Sequence, residues 1–191
     1  GGTRILTVPD ARLKFLQRKV LSLLEPLYSP RKPVHGFVKG RGAVSNANAH
    51  QGRPYLLNLD LKDFFDSVSR RRVHGMLEWL GLNAEVATAI CTICMVGARL
   101  PQGAPTSPLL ANMISYRMDR QLMSFAAANR MRYTRYADDI SFSSYTIPSA
   151  LFEIVPASGR VAIEQLSFTL RGWIASNDFE IHPEKVWFSD R

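Results

Sequence analysis

Residues 131–144 read MRYTRYADDISFSS. The stretch describes two short strands joined by a tight turn. Arg132 to Tyr136 supply aromatic and β-branched side chains, and Ile140-Ser141-Phe142 alternates with period two. Asp138 and Asp139 stand side by side at the joint. Two adjacent carboxylates repel each other, and a turn does not need both. A divalent cation reverses that cost, since Mg²⁺ prefers carboxylate oxygens together with substrate phosphate.

A second acidic strand supports this reading. Residues 55–61, YLLNLDL, are apolar apart from Asn58 and Asp60. An acid inside an apolar strand is costly unless it is paired or holds a metal. Neighbouring strands would bring Asp60 and Asp138 together and make a site for two metal ions, which steady the attacking and leaving oxygens of a phosphoryl transfer. Asp138-Asp139 alone would read as a surface turn. Together with Asp60 in its strand, the metal site is the stronger reading.

The charge is unevenly placed. Residues 1–55 hold ten Lys/Arg and two Asp/Glu, whereas residues 56–191 hold fourteen of each. The excess of +8 therefore lies in the N-terminal part. A basic lobe beside a neutral, acid-centred lobe suits a polyanion held by one and processed by the other. No apolar run is long enough to span a bilayer, and GGTRILTVPD lacks the apolar core of a signal peptide. The expected setting is the cytoplasm, with no membrane partner. Cys91 and Cys94 have CxxC spacing, but they sit in an apolar helical stretch with no second pair, so buried reduced thiols are expected.

Along the chain, residues 1–9 read as the end of a hairpin, with Arg4 beside an alternating run. The Gly-Gly start suggests a piece cut from something longer. Asp10 caps a predicted helix over 11–28. Residues 31–54 are loop-like and basic, with Lys39 and Arg41 placed to neutralise phosphate and a short helix over 43–50. Ser69 caps a helix to Leu80, stopped by Gly81, and another helix covers 84–96. A Pro- and Gly-rich loop over 99–105 leads into one long helix from Thr106 or Ser107 to about Asn129, with Pro108 in its first turn. Residues 148–176 read as mostly helical, and 179–182 and 186–189 as two strands around Pro183. The order of elements fits an α+β fold: a split βαβ, ferredoxin-like antiparallel sheet with helices on one face.

Several motifs then agree. The segments GGTRILTVP, HGFVKGRG, LNLDLKDFF, LPQGAPTSPLLAN, YADD and IHPEK resemble, in order, the conserved blocks of reverse transcriptases. The bacterial retron type is the nearest, because Asn46-Ala47-Asn48-Ala49-His50 matches its NAxxH element. The resemblance implies a right-hand polymerase palm with an N-terminal fingers subdomain: fingers over 1–54, palm over 55–191 with a fingers insertion around 70–105, and the thumb missing. It implies an RNA-directed DNA polymerase using two Mg²⁺ ions, with Mn²⁺ as a substitute, and making msDNA in a retron setting linked to antiviral defence. A group II intron-type enzyme and a non-catalytic nucleic-acid-binding palm in a defence complex are the alternatives.

The resemblance also assigns roles. Asp60 and Asp138 correspond to the principal metal ligands, Asp139 to the third acid, and Leu61 to the carbonyl that helps hold the metal. Phe65 corresponds to the steric gate under the incoming sugar. The backbone amides of Asp63 and Phe64 would face the triphosphate, and Gln102 and Gly103 would lie near nucleotide and template. Arg4 corresponds to the arginine gripping the triphosphate, with Arg12 a second candidate, and Lys185 to the lysine near the leaving pyrophosphate. Lys39, Arg41, Asn46 and His50 are candidates for nucleic-acid contact, His50 through a structural role in the RNA-facing loop or as an internal helix cap. The implied partners are an RNA template, a DNA primer, dNTPs, a cognate structured RNA and an effector protein, in a bacterial cytoplasm.

Overall fold

The structure is a computed structural model describing residues 7–190. Most of the hairpin expected over 1–9, and Arg4 with it, lies outside the described residues. The chain runs α1 (Ala11–Leu24), α2 (Ala43–Asn48), β1 (Tyr55–Leu61), α3 (Arg70–Trp79), α4 (Ala84–Cys94), α5 (Ser107–Ile114), α6 (Tyr116–Ala128), β2 (Arg132–Tyr136), β3 (Asp139–Ser144), β4 (Gly159–Arg160), α7 (Phe168–Ala175) and β5 (Ile181–Asp190). Two compact units form: Gly1–Ser29 with Asp63–Ile114, and Pro30–Lys62 with Ser115–Arg191. Residues 30–54 group with the strands of the second unit.

The first unit is helical. Asp10 caps α1 by accepting from the Leu13 amide at 2.8 Å. Val20 and Leu24 are buried on one face of α1, and Gln17 donates to the Ile93 carbonyl of α4 at 2.9 Å. Asn83 caps α4, Ser69 caps α3, and Gly81 ends the α3 turn at φ 94°. Cys91 and Cys94 are buried free thiols. Ser107 anchors the start of α5 to the Pro101 carbonyl at 2.7 Å.

The second unit carries the sheet. Its strand order is β2-β3-β1-β5-β4, with every pairing antiparallel. β3 lies between β2 and β1, and β1 between β3 and β5, so two interleaved split βαβ motifs share the sheet. Period-two alternation gives it two chemically different faces. Leu57, Leu59, Ile140, Phe142, Val186 and Phe188 are opposed across the strands on one of them and buried. Phe125 of α6 meets Phe142 edge-on, with ring centroids 6.4 Å apart, and meets Trp173 of α7 at 5.0 Å. Burying such side chains contributes about 1.5–3 kcal/mol each. The opposite face presents Asn58, Asp60, Ser141, Ser143, Thr134 and Asp139.

Three expectations need correction. The long helix over 106–129 is two helices, broken at Ser115, which takes ψ −7°. Residues 148–176 are not mostly helical. Only α7 is an α-helix there, because Pro148 and Pro156 remove amide donors and Gly159-Arg160 pairs with β5. The strands around Pro183 are one strand, β5. Its ladder with β1 jumps from Val186 to Ile181, so the proline falls where no donor is required.

Candidate active site

Asp60 and Asp139 are directly opposed across β1 and β3, so their side chains share the polar face. The Leu61 amide donates to the Asp138 carbonyl at 2.9 Å. Asp60 thus faces Asp139 across the strands, with Asp138 next to it in the turn. Asp60 is only 7% exposed, and its Oδ2 accepts from Lys185 Nζ at 2.9 Å. Asp138 is half-buried and Asp139 exposed. The Asp139 carboxyl is raised above its ordinary value, first by partial loss of water, then by the charges of Asp138 and Asp60, with Lys185 pulling it back. The one lysine therefore leaves the negative charge under-compensated.

The donor chemistry fits divalent metal ions, which favour carboxylate oxygens, and a cation there would relieve the repulsion on Asp139. Among the described residues, no three His, Cys, Asp or Glu groups are already gathered into a metal-holding arrangement.

The turn carrying the acids is held from behind, by Gly36 of the HGFVKGRG segment and by Arg135, Asp119 and Tyr133, which the sequence did not single out. Arg135 and Asp119 of α6 are fully buried and paired twice, Nε to Oδ1 at 2.8 Å and Nη2 to Oδ2 at 2.7 Å. Tyr133 donates to the same carboxylate at 2.7 Å, and burial with that carboxylate beside it holds the phenol well above its usual range. The third arm of Arg135 donates to the Ala137 carbonyl at 2.9 Å. Ala137 takes φ 57°, which L-residues rarely adopt. Gly36 lies so close that an added Cβ would run into the Ala137 amide and the Tyr136 carbonyl carbon. Residues 33–35 are tied to Arg135 by two backbone bonds, the Arg135 amide to the Pro33 carbonyl and the His35 amide to the Arg135 carbonyl. An arginine in an exposed-looking RYTRY run gives no hint of this; only the distant Asp119 explains it.

The candidates for nucleic-acid contact are divided. Lys39 is exposed. Arg41 turns into its own loop, its Nη1 donating to the carbonyls of Arg31 and Val34, each at 2.7 Å. Asn46 is half-buried in α2, with an enclosed Oδ1. His50 bridges two strands, Nδ1 to Ser143 Oγ at 2.6 Å and Nε2 to Thr134 Oγ1 at 2.7 Å. Burial, then Arg132, Arg53 and His35, push its pKa down to about 4, so the ring is neutral at pH 7.

The remaining candidates lie in the first unit. Phe64 is buried, and Phe65 is half-exposed at 5.4 Å between ring centroids. Asp63 takes φ 48° and accepts from the Ser67 amide. The Gln102 carbonyl accepts from the Thr7 amide at 2.9 Å, and Gly103, at φ 114°, has no room for a side chain beside the Thr7 carbonyl. Arg12 is exposed on α1.

A strand-turn-strand of paired acids opposite a third acid, on a split βαβ sheet, is the arrangement that the reverse transcriptase resemblance implies. The model of the reverse transcriptase (RNA-dependent DNA polymerase) family matches residues 1–190, and the chain belongs to that family. Among relatives, the retron Mx65 reverse transcriptase of Myxococcus xanthus is 36% identical over 204 residues, covering 97% of this chain and 45% of that protein. The retron Ec86 reverse transcriptase of Escherichia coli is 37% identical over 165 residues, covering 83% and 51% respectively. The chain therefore spans about half the length of these relatives. Apo telomerase from Candida tropicalis, truncated from its C-terminal domain, superposes with a TM-score of 0.54 at 9% identity over 97% of this chain and 41% of that one. That likeness is one of fold, the right-hand polymerase. Among the described residues, no helix is long and apolar enough to cross a membrane.

Proposed function

We propose that this chain is the catalytic portion of a retron-type RNA-directed DNA polymerase. The reaction is attack of a primer 3′-hydroxyl on the α-phosphate of a dNTP, templated by RNA, with pyrophosphate leaving. One observation carries the reading: Asp60 and Asp139 are opposed on one face with Asp138 beside them, and their charge is not fully neutralised. Asp60, Asp138, Asp139 and the Leu61 carbonyl would hold two Mg²⁺ ions, which when bound lower the pKa of the hydroxyl and neutralise charge on the phosphates.

The chain's own groups do the positioning. Arg135 and Gly36 fix the turn from which Asp138 projects. Lys185, which pairs with Asp60, is the cation available to the leaving pyrophosphate. Phe65 excludes a 2′-hydroxyl by its bulk, and Phe65→Ala should raise ribonucleotide incorporation. The second unit serves as palm and the first as fingers. The template is a structured cognate RNA, the product msDNA, the role antiviral defence alongside an effector protein and the setting a bacterial cytoplasm, in keeping with the bacterial relatives.

Primer extension on an RNA template tests the reading: Asp138→Asn should abolish dNTP incorporation, and incorporation at the parent rate would overturn it. The contact between Lys185 and Asp60 favours a second reading, a non-catalytic nucleic-acid-binding palm. Under that reading the parent itself would neither bind dNTPs with Mg²⁺ or Mn²⁺ nor extend a primer.

A further inference from the structure

A cavity of about 360 Å³ opens along the β2 edge of the sheet, lined by residues of the second unit alone. It is lined by the end of α6, the start of β2 and two loop segments ahead of β1. Its charged lining residues are Lys32, Arg53, Arg130 and Arg132, and among its described lining residues there is no carboxylate. None of the four has an ion-pair partner among the described residues. The sequence around them offers none: residues 30–54 contain five Lys/Arg and no Asp or Glu.

The bland account is a solvated basic patch. Arg130 on its own fits it, since it follows α6 and a cation suits a helix C-terminus. The account does not extend to Arg53. Arg53 is half-buried, and its guanidinium lies over the Tyr145 ring at 4.5 Å, so it is held in place rather than swinging in water. Arg132 leads β2. The field of Arg53 and Arg132 reaches inward far enough to help keep His50 uncharged. Three arginines and a lysine concentrated around one concavity raise the free energy of the fold by mutual repulsion, and an anion that seats among them removes that cost.

We infer that this cavity is a docking site for the phosphodiester backbone of a nucleic-acid strand. A linear polyanion fits better than a compact one: two of the cations come from the chain leaving α6, and the other two from the segments before β1. At about 30 Å³ per water, the cavity has room for a phosphate and its neighbouring atoms. Arginine favours phosphate through its planar fork of donors. None of these four residues belongs to the acid cluster, so the site would hold a strand without taking part in transfer. The inference rests on the polymerase reading for its partner, yet it is tested independently of catalysis.

The experiment is fluorescence anisotropy of a labelled single-stranded RNA titrated with the chain across a salt series. The variants are Arg53→Gln with Arg132→Gln, Arg53→Lys with Arg132→Lys, and Arg117→Gln with Arg120→Gln, two exposed arginines outside the cavity, as a charge-matched control. Loss of two phosphate contacts should weaken binding about tenfold near physiological salt and flatten the plot of log K against log salt by about 1.4. The Lys pair should keep the parent slope, and a DNA strand of the same sequence should lose slope as RNA does. Three results would overturn the proposal: a Gln pair that behaves like the Arg117→Gln, Arg120→Gln pair, a Lys pair that loses as much as the Gln pair, or displacement of the strand by inorganic phosphate well below the ionic strength at which chloride displaces it. Failure of the parent to bind dNTPs with Mg²⁺ or Mn²⁺ would remove the polymerase reading and leave the salt slope to stand or fall separately.

Discussion

On the face of the sheet that packs against α6 and α7, Arg135 and Asp119 are both fully enclosed, and every charged arm finds a partner. On the opposite face, Asp60, Asp138 and Asp139 crowd together with one lysine among them. The sheet separates the two clusters, yet both converge on the turn at Ala137-Asp138. The comparison teaches how buried charge can be sorted. A charge whose partners are all present holds a shape, and one left short of partners is waiting for something.

The sharpest way to break the comparison is to remove charge from each face in turn. Asp138→Asn should leave thermal stability unchanged or slightly raised, since a repulsion is lost. Its dNTP incorporation should fall by about a thousandfold or more, given several kcal/mol of charge stabilisation at such a centre. Asp119→Ala should do the reverse to stability. It strands a buried guanidinium and should cost about 3–5 kcal/mol in chemical denaturation. Asp119→Leu combined with Arg135→Met should recover most of that stability. Primer extension should stay slow in the double variant, because Ala137 has lost its donor; parent-like extension would show that Arg135 only packs.

His50 tests the polar face by pH. Its pKa is about 4 in the folded chain against an ordinary 6.5. The unfolded chain therefore takes up a proton that the folded chain refuses as pH falls from about 6.5 towards 4, and stability is lost over that window. The whole loss is no more than about 3 kcal/mol. Denaturation midpoints of parent and His50→Gln should converge on acidification, and parallel curves would exclude His50. Gly36→Ala would drive its Cβ into the Ala137 amide nitrogen, so it should cost about 1–3 kcal/mol of strain or more and slow extension by pushing on the turn.

Much of this was legible in the sequence because it is local. The apolar run of β1 with one acid in it, the YADD joint, and the caps Asp10 and Ser69 each carry their own signal within a few residues. The misses were long-range. Residues 148–176 contain apolar residues at helix-like intervals, but the structure there depends on β4 finding β5. Arg135 reads as one more surface cation until Asp119, sixteen residues earlier, closes around it. Lys185 could be suspected from a motif, but its hydrogen bond to Asp60 spans 125 positions. The cavity basics are spread over three stretches of chain and have no motif at all.

The jump in the ladder between β1 and β5 has a mechanical consequence. Leu59 pairs with Val186 and Leu61 with Ile181, so a short run of β5 containing Lys185 bows out opposite Asp60. A side chain mounted on such slack can swing away from its carboxylate without tearing any rung of the sheet. The strand thus has its give at the position where a lysine would have to surrender an aspartate to an arriving cation.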